Sequence, residues 1–345
     1  MKKIISLMLV FAFVFLLAAC GGGSSTPAPA SEASPSAEAR PAASDGSGGS
    51  DAATEEFVVG ICQLVQHPAL DAATEGFKQS LSEKLGGRVR FIEQNASGDS
   101  AACATICNQF VSEEVDLIMA NATPALQAAA AATNTIPVLA TSITDFGSAL
   151  GIDNWTGVTG VNISGTSDLA PLDGQAEIVK ELFPEAKNVG IFFCSGEANS
   201  LFQADAIQPM LEALGFTVSR FTFSDSNDVA AVTESACGSC DVLYIPTDNT
   251  AASCTEAINN VALNAGVPIV CGEEGLCRGC GVATLSIDYF DLGTATGEMA
   301  AEILEGGADV SAMAVRFAPQ FTKEVNAALC EALGIPVPDG YAVIE

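Results

Sequence analysis

Phe57-Val58-Val59-Gly60-Ile61 returns, after roughly 130 residues, as Val189-Gly190-Ile191-Phe192-Phe193. Both runs are short, uncharged and rich in β-branched and aromatic residues, the composition of a strand buried on both faces. The same sequence of elements follows each. Behind the first come a helical pattern over Ala69–Leu85, a strand Val89–Ile92, a helix through Cys103–Val111, a strand Asp116–Ala120, an Ala-rich helix over Ala125–Ala132 and a strand Ile136–Ala140. Behind the second come a helix Gln203–Leu214 and strands Phe216–Val218, Val242–Ile245 and Pro268–Val270. Even the loops before each second strand are alike: Lys84-Leu85-Gly86-Gly87 and Ala213-Leu214-Gly215. Strands and helices alternating at this length form right-handed βαβ units on parallel sheets. The fold class expected is therefore α/β, with two doubly wound parallel-sheet lobes and a ligand cleft between them.

Ligands of open parallel sheets bind beyond the carboxyl ends of the strands. In the first lobe those ends read Gln66-His67, Asn121-Ala122-Thr123-Pro124 and Thr141-Ser142-Ile143-Thr144-Asp145. In the second they read Cys194-Ser195-Gly196-Glu197-Ala198-Asn199-Ser200, Thr247-Asp248-Asn249 and Gly272-Glu273-Glu274-Gly275. Hydroxyls, amides and helix starts dominate. Backbone N–H groups at helix starts attract a carboxylate and an acidic side chain pairs an ammonium, so the set suits a small zwitterion. Taken singly, each of these residues is equally an ordinary helix N-cap.

The ends of the chain and its charge narrow the setting. Met1-Lys2-Lys3 precedes an apolar stretch, Ile4–Ala19, broken only by Ser6 and too short to span a bilayer comfortably. It closes in Leu17-Ala18-Ala19-Cys20 and resembles a bacterial lipobox, in which Cys20 is lipidated after cleavage. Gly, Ser, Ala and Pro fill 27 of the 34 positions from 21 to 54, so that segment reads as a flexible tether. As a coil it would reach on the order of 30 Å. The expected location is the extracytoplasmic face of a bacterial cell membrane, through the lipid anchor. With 13 Lys and Arg against 42 Asp and Glu, the net charge of −29 repels nucleic acid and anionic headgroups, which excludes both as partners.

Several longer motifs carry a resemblance. They are His67-Pro68-Ala69-Leu70-Asp71 with Gly76-Phe77, Ala122-Thr123-Pro124-Ala125, Gly165-Thr166-Ser167-Asp168 and Tyr244-Ile245-Pro246-Thr247-Asp248-Asn249-Thr250. Gly272-Glu273-Glu274-Gly275, Ile287-Asp288-Tyr289 and Leu292-Gly293 through Gly297-Glu298-Met299-Ala300-Ala301 complete the set. From about Val58 to Pro336 the chain resembles the ABC-transporter substrate-binding proteins of the tryptophan- and tyrosine-binding lipoprotein type, with a type I periplasmic-binding-protein fold. The resemblance implies three crossovers, near Val161–Ser164, Ser286–Tyr289 and Val315–Ala318. Residues 55–163 with 288–316 would form one lobe, and 164–287 with 317–345 the other. The helix Asp291–Glu305 would return to the first lobe, and Lys323–Leu333 would pack on the second. The implied ligand is an amino acid, often aromatic, bound by hinge closure, with an ABC permease and ATPase as partners. Carried over by position, Asp248 would pair the ligand ammonium. Thr123, Ser142 and Thr144 would hold its carboxylate, Asn199 and Ser200 would close over it, and Glu274 would be a further contact.

The twelve cysteines stand outside that pattern. Cys237–Cys240 and Cys277–Cys280 are two CxxC pairs that could bind zinc, form disulfides or pack reduced; disulfides are the commoner outcome in an exported chain. Cys103 and Cys107 share a helix face above Cys62. A thiol redox enzyme is the rival class, but Cys237–Cys240 lies at the end of a helix, where the dipole does not activate a thiol. His67 is the sole histidine, no Gly-x-Ser-x-Gly elbow occurs and no Walker A motif is present, so no enzymatic activity and no cofactor are expected. A ligand sensor, for an amino acid, sugar or nucleoside, would need the same cleft. His67 is expected either at the ligand or as a capping or surface residue, and Trp155 either at an aromatic pocket or in the core.

Overall fold

The computed structural model describes residues 56–344. The lipobox, Cys20 and the tether expected over 21–54 lie outside the described residues. No described helix is long and apolar enough to cross a membrane.

The first lobe starts with β1 (Phe57–Gln63), α1 (Pro68–Leu85), β2 (Val89–Asn95), α2 (Ser100–Ser112), β3 (Leu117–Asn121), α3 (Thr123–Ala132), β4 (Val138–Ile143), the short α4 (Phe146–Leu150) and β5 (Ile163–Ser167). The second holds α5 (Leu172–Leu182), β6 (Asn188–Cys194), α6 (Ala198–Ala213), β7 (Thr217–Phe223), α7 (Val229–Cys237), β8 (Val242–Ile245), α8 (Asn249–Ala252), α9 (Thr255–Ala265), β9 (Ile269–Cys271), α10 (Glu274–Cys280) and β10 (Ala283–Ser286). The chain then returns to the first lobe with α11 (Tyr289–Leu304) and β11 (Arg316–Phe317), and ends on the second with β12 (Thr322–Val325), α12 (Ala327–Leu333) and β13 (Ala342–Val343).

Two sheets result, ordered β11-β5-β4-β3-β1-β2 and β13-β12-β10-β9-β8-β6-β7. Every pairing in the first is parallel. In the second, β12 pairs antiparallel with β10 and β13 runs parallel to β12, so these two strands oppose the other five. The inner strands β3 and β4 are buried at every residue, which explains why Leu117–Ala120 and Val138–Ala140 are apolar without alternation, while their carboxyl ends carry Asn121, Thr141 and Ser142. Phe77, Leu81 and Met299 cover one face of the first sheet, while Cys103, Ile106 and Phe110 cover the other. The second sheet is sandwiched the same way, with Ile207 and Leu211 on one side and Ile258 and Leu276 on the other.

The return of α11 to the first lobe depends on small residues. A Cβ on Gly76 would stand 2.1 Å from the carbonyl oxygen of Phe290, and one on Gly293 would stand 2.0 Å from that of Ala73. Helices α1 and α11 therefore cross at backbone contact, and any larger residue at either position would push them apart.

The chain passes between the lobes at 168–171, 287–288 and 318–321. The first passage comes later than the expected boundary at 163/164. Ile163–Ser167 is too polar to read as a strand, yet it is buried in the first sheet, where the Thr166 hydroxyl donates to Thr141 Oγ1 at 3.0 Å and sits 2.8 Å from Thr296 Oγ1. The segment Lys323–Leu333 divides into strand β12 and helix α12.

The expected disulfides do not form: all eleven described cysteines are free thiols, and nine are buried. They fill core space as small apolar groups. No group of described His, Cys, Asp and Glu side chains is arranged to hold a metal ion. Trp155 stacks on Phe146 with ring centroids 6.3 Å apart and packs against the first core.

Candidate functional site

The strand tips of the two lobes meet. The His67 ring of the β1–α1 loop lies 3.2 Å from Asn249 Oδ1 at the start of α8. Gln203 of α6 donates to Thr144 Oγ1 of the β4–α4 loop at 3.4 Å. Tyr289, at the second passage, donates its hydroxyl to Asp168 Oδ2, at the first, over 3.0 Å. His67 is thus buried between lobes, and neither a surface position nor a side-chain cap describes it. Burial depresses its basicity, and Asn249, Glu197 and Asp71 only partly offset this.

The second-lobe wall is braced by carboxylates. Asp248 Oδ2 accepts from the Cys194 N–H and the Ser200 hydroxyl, both at 2.7 Å, and Oδ1 accepts from the Ala251 N–H at 2.8 Å, capping α8. Burial, reinforced by the nearby Glu197 charge, pushes its pKa up to about 7 despite those donors. Glu197 binds the amide N–H groups of Asn249 and Thr250 and the side chains of Asn199, Asn249 and Thr250, at 2.6–3.1 Å. Glu273 caps α10 through the N–H groups of Gly275 and Leu276, and burial raises its pKa to about 7. Thr247, Gln203 and Asn199 close a further ring: Thr247 N–H donates to Gln203 Oε1, and Thr247 O accepts from both Gln203 and Asn199.

The first-lobe wall is less satisfied. Ser142 is buried at φ +58° with no partner for its hydroxyl, and Ala122, just before Thr123, sits at φ +88°. Non-glycine residues held in the left-handed region store strain, a recurrent feature of ligand-binding turns. Thr123 is buried at the first position of α3. Asn121 Oδ1, His67 Nδ1 and Asp168 Oδ1 are also buried without a partner, as is Asn199 Oδ1 across the gap. Burial raises the Asp168 pKa to about 6, against the Tyr289 and Thr144 hydroxyls that lower it. Buried polar atoms are almost always paired; of the nine buried side-chain atoms without a partner among the described residues, these tips hold five.

The sequence-expected residues therefore converge with one exception. Thr123, Ser142, Thr144, Asn199, Ser200 and Asp248 all sit at the facing tips. Ser200 and both oxygens of Asp248 are occupied within their own lobe. Glu274 lies to the side, paired with Arg278 and lining a cavity of about 240 Å³ with Pro68, Ala69 and Tyr289. Asp168, Glu197, Gln203 and Tyr289 were not singled out by sequence reasoning; Asp168 and Tyr289 could have been, because they mark the passages between lobes. Nothing here resembles a thiol active centre: burial pushes Cys240 up to about 11, far from a reactive thiolate.

Comparison with known proteins agrees with this geometry. Residues 58–344 match the family described as ABC transporter substrate binding protein. A tyrosine-binding protein of Clostridioides difficile is 39% identical over 251 residues, 72% of each chain. The structure of an ABC domain in complex with L-Trp from Streptococcus pneumoniae superposes with a TM-score of 0.80 at 30% identity, covering 84% of this chain and all of that one. A ligand-free, open substrate-binding protein with adhesive properties from Clostridium difficile gives 0.64 at 36% identity, over 84% of this chain and 99% of that one. Such proteins bind a small-molecule solute without transforming it and serve permease and ATPase subunits. This chain belongs to the ABC transporter substrate-binding protein family.

Proposed function

We propose that this chain is a lipid-anchored, extracytoplasmic receptor that closes its lobes around free tyrosine or tryptophan and delivers it to an ABC permease. The observation that carries the reading is that strand tips of both lobes, in contact through His67–Asn249 and Gln203–Thr144, carry buried polar atoms with no partner. Groups so placed lose affinity for any ligand unable to pair them, which favours a small polar head over an apolar one. The aromatic side chain follows from the two relatives, one named for tyrosine and one holding L-Trp. Ser142, Thr144 and Thr123 present the first-lobe surface, and Asn199 with Gln203 the second; Asp248 and Ser200 back that wall. The lobes move about the passages at 168–171, 287–288 and 318–321. Cys20 carries the lipid, and the segment from 21 to 54 spaces the lobes from the membrane.

Calorimetric titration of the full-length protein in detergent, against aromatic and aliphatic amino acids, a sugar and a nucleoside, tests this. Tyrosine or tryptophan should bind at about micromolar Kd or tighter, a free energy near −8 kcal/mol, with the sugar and nucleoside silent. Binding of the sugar or nucleoside alone overturns it. Mass measurement of the mature amino terminus should find a diacylglycerol-modified Cys20.

A further inference from the structure

Four carboxylates are buried where the lobes meet: Asp168, Glu197, Asp248 and Glu273, each 5% exposed or less. None of them forms an ion pair among the described residues. The nearby base, His67, is held toward its neutral form. Acid without base is costly in such a place unless donors surround it or a cation arrives. Three of the four have their donors. Glu197 takes five hydrogen bonds, Asp248 three and Glu273 two, all from within the second lobe. Asp168 differs: Tyr289 occupies Oδ2 and the Thr144 hydroxyl lies near enough to favour the charged form, but Oδ1 makes no hydrogen bond.

We infer that Asp168, rather than Asp248, receives the ligand's primary ammonium. Its surroundings suit that group. The carboxylate adjoins Thr144, whose hydroxyl oxygen already accepts from Gln203 across the gap, and the unpaired Ser142 hydroxyl stands two residues before Thr144, near the end of β4. An ammonium brings three donors and one positive charge to a set of acceptors that holds a surplus of negative charge. Asp168 stands on the first passage between lobes and its partner Tyr289 on the second, so a ligand gripped there is held at the segments about which the lobes turn. The inference rests on the amino-acid reading above and adds which atom recognises the amine.

The test is a double-mutant cycle in which one partner is the ligand. Full-length wild type and Asp168→Asn are titrated with tyrosine and tryptophan and with their des-amino analogues, 3-(4-hydroxyphenyl)propionate and indole-3-propionate. Wild type should prefer the amine-bearing ligand by about 100-fold, the scale of a buried charge pair losing one member. Asp168→Asn should weaken that ligand about 100-fold and leave the des-amino analogue within a few-fold of wild type. Its melting temperature without ligand should not fall, since a neutral isostere replaces an unpaired buried charge. Equal weakening of both ligands, or unchanged binding of the amine, overturns the assignment. So does a wild type that binds the des-amino analogue as tightly as the amino acid, a measurement that needs no variant to fold. If wild type ignores every amine and binds a sugar, the amino-acid reading itself is lost; if it binds amines and only the Asp168→Asn result fails, that reading stands.

Discussion

The two walls of the cleft are built on opposite plans. In the second lobe, Glu197, Asp248 and Glu273 lash neighbouring loops together through hydrogen bonds internal to that lobe, and among the described buried side-chain atoms of its facing tips Asn199 Oδ1 alone goes unpaired. In the first lobe and its first passage, the corresponding tips leave Asn121 Oδ1, His67 Nδ1, Ser142 Oγ and Asp168 Oδ1 unpaired, and hold Ala122 and Ser142 in a left-handed backbone. A satisfied wall needs no ligand to hold its shape; an unsatisfied one gains most when a ligand arrives. The difference assigns stability to the second-lobe tips and recognition to the first, and substitutions on the two sides should separate those properties.

The largest effect is expected at Glu197. Glu197→Ala removes the acceptor of five donors, two of them backbone N–H groups of Asn249 and Thr250; of the five, Asn199 Nδ2 retains other acceptors, Ser200 Oγ and Thr247 O. Leaving such a network unsatisfied costs about 3–5 kcal/mol. The urea midpoint should fall accordingly, with denaturation followed by circular dichroism. A loss below about 1 kcal/mol, within the range of ordinary surface substitutions, would show that the second wall is not braced as described.

Titration gives a smaller effect of defined sign. Asp168, Asp248 and Glu273 have folded pKa values raised to about 6, 7 and 7. Each folded acid binds its proton more tightly than the unfolded chain does, so stability falls as pH rises from the unfolded carboxylate range through about 7. His67 opposes this, because its folded pKa is lowered and the unfolded chain gains a proton below about 6.5. Three acids outweigh one base. The unliganded protein should be more stable at pH 5 than at pH 8 by on the order of 2 kcal/mol, read from urea midpoints. Ligand binding should run the other way, weakening below about pH 6 as Asp168, beside the Tyr289 and Thr144 hydroxyls and within electrostatic reach of the Glu273 carboxyl, takes a proton. Greater stability at pH 8 would contradict the burial of these groups.

Much of this was legible before any coordinates, and the remainder was hidden for identifiable reasons. The apolar runs at β1 and β6 announced central strands because burial on both faces removes all need for alternation. The rule that ligands lie at strand carboxyl ends then led to Ser142, Thr144 and Asn199. Strand β5 is hard to read in the sequence because Gly165, Thr166 and Ser167 present no apolar bulk, their polar groups being met by Thr141, Thr296 and Thr144. Helix α5 carries a legible signal, since Leu172, Ala176 and Val179 recur at helical spacing and are buried. The hardest feature to foresee was which carboxylate stays unsatisfied. Asp248 looked like the ammonium partner by position, but its donors come from Cys194 and Ser200, more than forty residues upstream. Only the folded loops reveal that its oxygens are spoken for while one of Asp168 is not.

The smallest effect is the sharpest test of the contrast between walls, because it should improve stability while harming binding. Ser142 combines φ +58° with a buried hydroxyl that has no partner. Ser142→Gly removes both penalties: the left-handed conformation costs a residue with a Cβ about 1–2 kcal/mol, and an unpaired hydroxyl about as much again. Glycine returns roughly 0.5–1 kcal/mol of that through the greater freedom of the unfolded chain. A net gain of about 1 kcal/mol should raise the melting temperature of the unliganded protein by about 2 °C, with ligand affinity falling at the same time. The same exchange attempted on the second wall, Ser200→Gly, removes a hydroxyl bonded to Asp248 at 2.7 Å and should only destabilise. If Ser142→Gly also lowers the melting temperature, the first wall is holding structure rather than waiting for ligand, and the division between the lobes fails.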